Sequence, residues 1–129
     1  TLFPYTTLFR SAKLWSTNLK EATFWKTNLR KAKLWRADLR GVLLSHVDLS
    51  EADLMEADMS GADLKETELS RADLSMAKLS NIKFNNVTLF HTIFHISQRN
   101  TLEQANADIS YAYFIDDDKP LIEAQVLAE

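Results

Sequence analysis

The chain has 129 residues, 46% of them apolar, enough for one domain with a buried core. It has no cysteine, which excludes disulfides and thiolate metal sites and fits a reducing compartment, so the expected location is the cytoplasm. The net charge of -3 hides a split: residues 12–40 carry eight Lys/Arg against two acids, and residues 41–75 carry nine acids against two Lys/Arg. Such a split between halves can mark a binding surface. No apolar run approaches the roughly 20 residues that a membrane helix needs.

Thr1–Ser11 reads TLFPYTTLFRS. It matches no protein motif, but codon for codon it resembles the translation of a widely used short-read sequencing adapter. Residues 1–11 are therefore expected to be adapter-derived and stand outside fold reasoning. The accompanying expectation is that the remainder is a fragment of a longer protein whose natural start is missing. Thr7-Leu8-Phe9 happens to imitate one unit of the pattern that follows.

From Ala12 to Ile96 the sequence keeps a five-residue beat: AKLWS, TNLKE, ATFWK, TNLRK, AKLWR, ADLRG and on to TIFHI. The third residue of every unit is large and apolar, from Leu14 to Phe94, and the first is small or β-branched. An α-helix would spiral these leucines around its axis, and a flat strand would send them to alternate faces. A chain that turns once per unit keeps them all inside. The large side chain then fills the axis, and the small one sits where the walls approach. Fixed-period repetition of this kind predicts a solenoid whose coils pair with their neighbours at the inter-strand spacing, about 4.8 Å.

The triplets Ala37-Asp38-Leu39, Ala52-Asp53-Leu54, Ala62-Asp63-Leu64 and Ala72-Asp73-Leu74 resemble the A(D/N)LXX signature of pentapeptide-repeat proteins. The resemblance implies an all-β fold, a right-handed quadrilateral parallel β-helix of about four to five coils. Four units would make one coil, so residue n would stack on residue n+20.

The beat defines a β-helical segment at 12–96 and lapses over 97–106, SQRNTLEQAN, where a loop or short helix two units long would preserve the register. Thr101 could cap a helical turn there. Final units follow at 107–115, with Ala107-Asp108-Ile109 and Ala112-Tyr113-Phe114. Residues 116–129 read as a cap or tail: an exit turn at IDDDKP, then a short capping helix or a frayed end at LIEAQVLAE.

No catalytic constellation and no cofactor motif is present, so an enzyme is not expected. His46, His91 and His95 read as solvated corner residues rather than metal ligands. Asp116-Asp117-Asp118 lacks the glycine and ligand spacing of a calcium loop and reads as a solvated turn. The candidate partner-binding surface is Trp15, Trp35 and Met55, on one predicted ladder, beside Lys13, Lys33 and Arg36. Exposed aromatics flanked by cations suit a protein partner or an anionic surface. Flat packing of the rings between coils is the competing account. Trp25 should lie on the opposite wall.

The resemblance also brings an alternative, because some pentapeptide-repeat proteins mimic DNA and inhibit gyrase. The acidic surface would then be Asp48, Asp53, Asp58, Asp63, Glu68 and Asp73. Residues 41–75 span roughly 8 Å of axis, over which B-DNA carries about five charges. The acids suffice locally, but the basic coils before them interrupt the DNA-like charge. The expected function is a non-enzymatic scaffold for a partner protein, with direct nucleic-acid binding disfavoured. The alternatives are the gyrase-directed mimic and the soluble part of a membrane-anchored protein.

Overall fold

The computed structural model describes residues 9–117 and the backbone of residues 119–123. The repeat region is a parallel β-solenoid in which every unit is one wall and four units make one coil. Residue n pairs with residue n+20 throughout, as in Lys13 with Lys33, Asp38 with Asp58 and Asp53 with Asp73. One wall is a four-stranded parallel sheet of β1 (Thr23–Trp25), β2 (Leu43–Ser45), β3 (Asp63–Lys65) and β4 (Lys83–Asn85).

The core is the ladder of central side chains. Leu34, Leu54, Leu74 and Phe94 stack in successive coils of one wall and are essentially sealed from solvent. The first residues of the units, among them Ala32, Ala52 and Ala72, are equally buried. Where threonine takes that place its hydroxyl is satisfied: Thr92 Oγ1 donates to the carbonyl of Leu69 at 2.8 Å.

One unit accounts for all five of its backbone N–H groups. Glu51 donates to Ser70 O, Ala52 turns back to Leu49 O, Asp53 reaches down to Ala32 O, and Leu54 reaches up to Asp73 O. The fifth, on Met55, donates to the Asp53 side chain at 3.1 Å. The aspartate thus closes an Asx-type turn at the corner. Every fifth residue from Ser11 to His91 has positive φ, and only two of these corners are glycine, Gly41 and Gly61. A side chain in that region costs roughly 1 kcal/mol or more. Cross-coil hydrogen bonds, joined at many corners by an Asx-type bond, offset that cost.

Phe9 takes the central position of one further unit and packs partly against the core. Ser11 N–H donates to Arg30 O at 2.8 Å. Residues 1–8 lie outside the described residues.

After β5 (Ile93–His95) two walls of the coil are replaced by a 3-10 turn at Ile96–Gln98 and a helix, α1, at Arg99–Gln104. Ile93 nevertheless pairs with Tyr113 of β6 (Tyr113–Asp116), so the register of twenty survives the replacement. Thr101 lies within α1 and does not cap it. Leu102 is fully buried and fills the core in place of a central repeat residue.

The start of LIEAQVLAE, read as a short capping helix or a frayed end, belongs to a strand. Lys119–Glu123 is a strand, β7, antiparallel to β6. Pro120 suits an edge strand because it lacks an N–H to leave unpaired. The hairpin occupies one open edge of the last coil, the service expected of the helix. Residues 124–129 lie outside the described residues.

Candidate partner-binding face

Each coil contributes the same two outward positions to a wall, one on either side of the central residue. On the wall of Leu14, Leu34 and Leu54 these positions hold Lys13, Lys33 and Asp53 in one column and Trp15, Trp35 and Met55 in the other. The six side chains line one shallow groove of about 470 Å³. Trp15 is 50% exposed, and Trp35 and Met55 are half-buried. Trp25 stands in β1, two walls away, with Lys26 Nζ 4.6 Å from its ring centre.

Arg36 lies beside the tryptophan column. Its guanidinium lies over the Trp35 ring at 4.3 Å and its Nε donates to Glu56 at 2.8 Å. It braces an indole of the groove and is absent from the groove's lining, because its position is a corner of positive φ beside the wall. Asp53 was read only as part of the acidic surface, yet it forms the third rung of the lysine column. The spacing of twenty carried that signal in the sequence.

The acidic residues are distributed over several walls and are tied locally. Asp48, Asp53, Asp58, Glu68 and Asp73 each accept the backbone N–H two residues on. Asp63 lies in β3. At the boundary of the two charged regions, cations meet acids one coil above: Arg30 and Lys31 pair with Glu51, Arg36 with Glu56, and Arg40 with Asp58, while Arg40 also pairs with Asp38 of its own coil. The hydrogen bond from Arg40 holds the Asp38 carboxyl at about 2 despite some opposing desolvation. The Ser110 hydroxyl lowers Asp108 in the same way.

The histidines are more engaged than solvated corners. His46 lies 2.5 Å from Glu66. His91 is stacked between Phe90 and Tyr113, with centroids at 3.8 and 4.4 Å. His95 is mostly buried and caps the 3-10 turn, its Nδ1 accepting the Ser97 N–H. Asp117 is exposed in the turn after β6. Among the described residues no group of three or more His, Asp or Glu side chains could hold a metal ion. Within the same residues no helix is long and apolar enough to cross a membrane.

The family profile described as pentapeptide repeats (8 copies) matches residues 7–45, 36–71 and 48–86. No curated protein matches the sequence. Among solved structures, a pentapeptide-repeat protein from Nostoc is 27% identical over 71% of this chain and 79% of its own, with a TM-score of 0.62. A pentapeptide-repeat protein from the thylakoid lumen of Arabidopsis thaliana is 28% identical over 76% of this chain and 79% of its own, with a TM-score of 0.42. A plasmid-mediated fluoroquinolone resistance protein is 15% identical over 81% of this chain and 75% of its own, with a TM-score of 0.24. The backbones of the last two diverge too far for those likenesses to bear on function. The profile spans most of the repeat region and the solenoid has the same five-residue construction, so the chain belongs to the pentapeptide-repeat family.

Proposed function

We propose that the chain is a non-enzymatic scaffold that docks a protein partner on the wall of Trp15, Trp35 and Met55. The observation that carries this reading is the groove itself: two indoles and a thioether side by side, open to solvent and walled by Lys13 and Lys33. Polar side chains would suffice for solubility, and the same column holds Ser75 and His95 in later coils. Tryptophan is among the residues that most often dominate interface energy. Stacking on the wall explains the burial of Trp35 but leaves half of Trp15 in water.

The gyrase-directed alternative is less well supported, because the aspartates have a structural duty at the corners and several acids are neutralised by cations of adjacent coils. The test is a pull-down comparing the chain with its Trp15→Ser/Trp35→Ser variant, after circular dichroism shows that both fold. Partners recovered only by the parent chain support the reading. Equal recovery removes this wall from consideration.

A further inference from the structure

We infer that the docked segment is acidic, carries a large apolar side chain, and is held in one orientation by the order of charges along the groove. The inference rests on the docking reading above and adds the chemistry of the partner. Lys13 and Lys33 pair in parallel register one coil apart. Their backbones lie one rung apart, roughly 5 Å, so the two like charges share one stretch of the groove, and a carboxylate bound there is attracted to both.

Four other cations of the basic coils are engaged. Arg30, Lys31, Arg36 and Arg40 are all paired with acids. Among the described residues Lys13, Lys20 and Lys33 form no ion pair, and of these Lys13 and Lys33 line the groove, where their charge meets whatever fills it. The next rungs of their column are Asp53 and Asp73, in register with Lys33 and with each other. The column therefore runs from two cations to two anions along the axis. The neighbouring column runs from two indoles and Met55 to the buried Ser75.

A segment that binds this strip places its carboxylates at the Lys13 end, its apolar side chain on the indoles, and a cation or neutral group toward Asp53. An anionic bilayer is a poorer match, because the same wall would press Asp53 and Asp73 toward its headgroups. Electrostatic complementarity of this kind fixes register and partner choice more than raw affinity.

The experiment selects random twelve-residue peptides displayed on phage against the whole chain and keeps those that fail to bind Trp15→Ser/Trp35→Ser. The expected survivors are enriched in Asp and Glu beside a large apolar residue. A representative peptide should bind Lys13→Glu/Lys33→Glu about tenfold more weakly and Lys13→Gln/Lys33→Gln less weakened, with an affinity that falls as salt rises. Survivors of neutral or basic composition overturn the acidic class while leaving the docking face in place. A selection that yields no Trp-dependent peptide overturns the docking reading and this inference with it. Trp-dependent binding of phosphatidylserine-containing vesicles, with no acidic peptide selected, assigns the wall to a bilayer and also overturns the inference.

Discussion

The side-chain amide of Gln98 donates to the carbonyl of Ala77 at 2.8 Å, in the place where the next coil's backbone would have donated. In the coils before it, Ala37 O accepts from Asp58 N–H and Ala57 O from Lys78 N–H, each twenty-one residues on. At Ala77 the partner's place falls to residue 98, where the chain has left the solenoid for the 3-10 turn. The same Nε2 reaches Leu74 O at 2.9 Å, and Oε1 accepts the His95 N–H at 2.7 Å.

Gln98→Leu should therefore lower stability by about 1–3 kcal/mol, the cost of leaving buried backbone groups unpaired. Gln98→Glu should also destabilise, because it sets a carboxylate against two carbonyl oxygens. Denaturant unfolding followed by circular dichroism measures both. An unchanged midpoint for Gln98→Leu would show that the carbonyls find other donors and that the amide is dispensable.

Leu54 and Leu74 occupy successive rungs of the core and neither is accessible to solvent. Leu54→Ala should cost about 2–5 kcal/mol, since a rigid ladder with paired backbones on both sides collapses poorly around a cavity. Leu54→Asp should prevent folding, because the dry axis offers its carboxylate neither water nor a cation. A folded Leu54→Asp protein with unchanged far-ultraviolet circular dichroism would contradict the packing described.

The solenoid, its central ladder and the stacking of n on n+20 were legible because the five-residue beat forces them. The corners were legible only in part. A chain with two glycines gives little sign of positive φ at every fifth residue, yet Glu51, Met76 and His91 all adopt it. The signal lay in Asp and Asn at the second position, whose side-chain oxygens close the turns. The site was legible as columns, which is why Trp15, Trp35, Met55, Lys13 and Lys33 meet in one groove. Arg36 reaches the Trp35 ring from the corner beside the wall and does not line the groove. The strand at Lys119–Glu123 escaped because its pairing is non-periodic and depends on an edge created by β6.

Asp38 and Arg40 form an exposed pair on one wall, with Nη2 and Oδ2 2.6 Å apart. The hydrogen bond from Arg40 is the largest influence on the Asp38 carboxyl, which titrates at about 2 rather than 3.8. Because the folded value lies below the unfolded one, any stability that the pair contributes is complete above a pH of about 4. It disappears as the pH falls through about 2. Arg40→Gln should move the Asp38 titration, followed by carboxyl-carbon NMR, up toward the ordinary carboxylate range. A midpoint that stays near 2 in the variant would assign the depression to the backbone N–H of residue 40 instead.

The aspartates separate structural from functional charge most cleanly, because the chain already contains their neutral replacement. Asn18 Oδ1 accepts from Lys20 N–H and Asn28 Oδ1 from Arg30 N–H, both at 3.0 Å, the bond that Asp48, Asp53, Asp58 and Asp73 make in later coils. Substituting these four by Asn removes four negative charges and keeps the acceptor at each corner. The variant should fold with a stability within about 1 kcal/mol of the parent, as expected for surface changes that preserve their hydrogen bonds. Substituting the same four by Ala should cost about 1 kcal/mol at each corner, since each leaves an N–H without its acceptor. Partner recovery through the tryptophan wall should survive in the Asn variant, with a change confined to the contribution of Asp53. If the parent chain inhibits gyrase and the folded Asn variant does not, the acidic coils carry the function and the tryptophan wall does not.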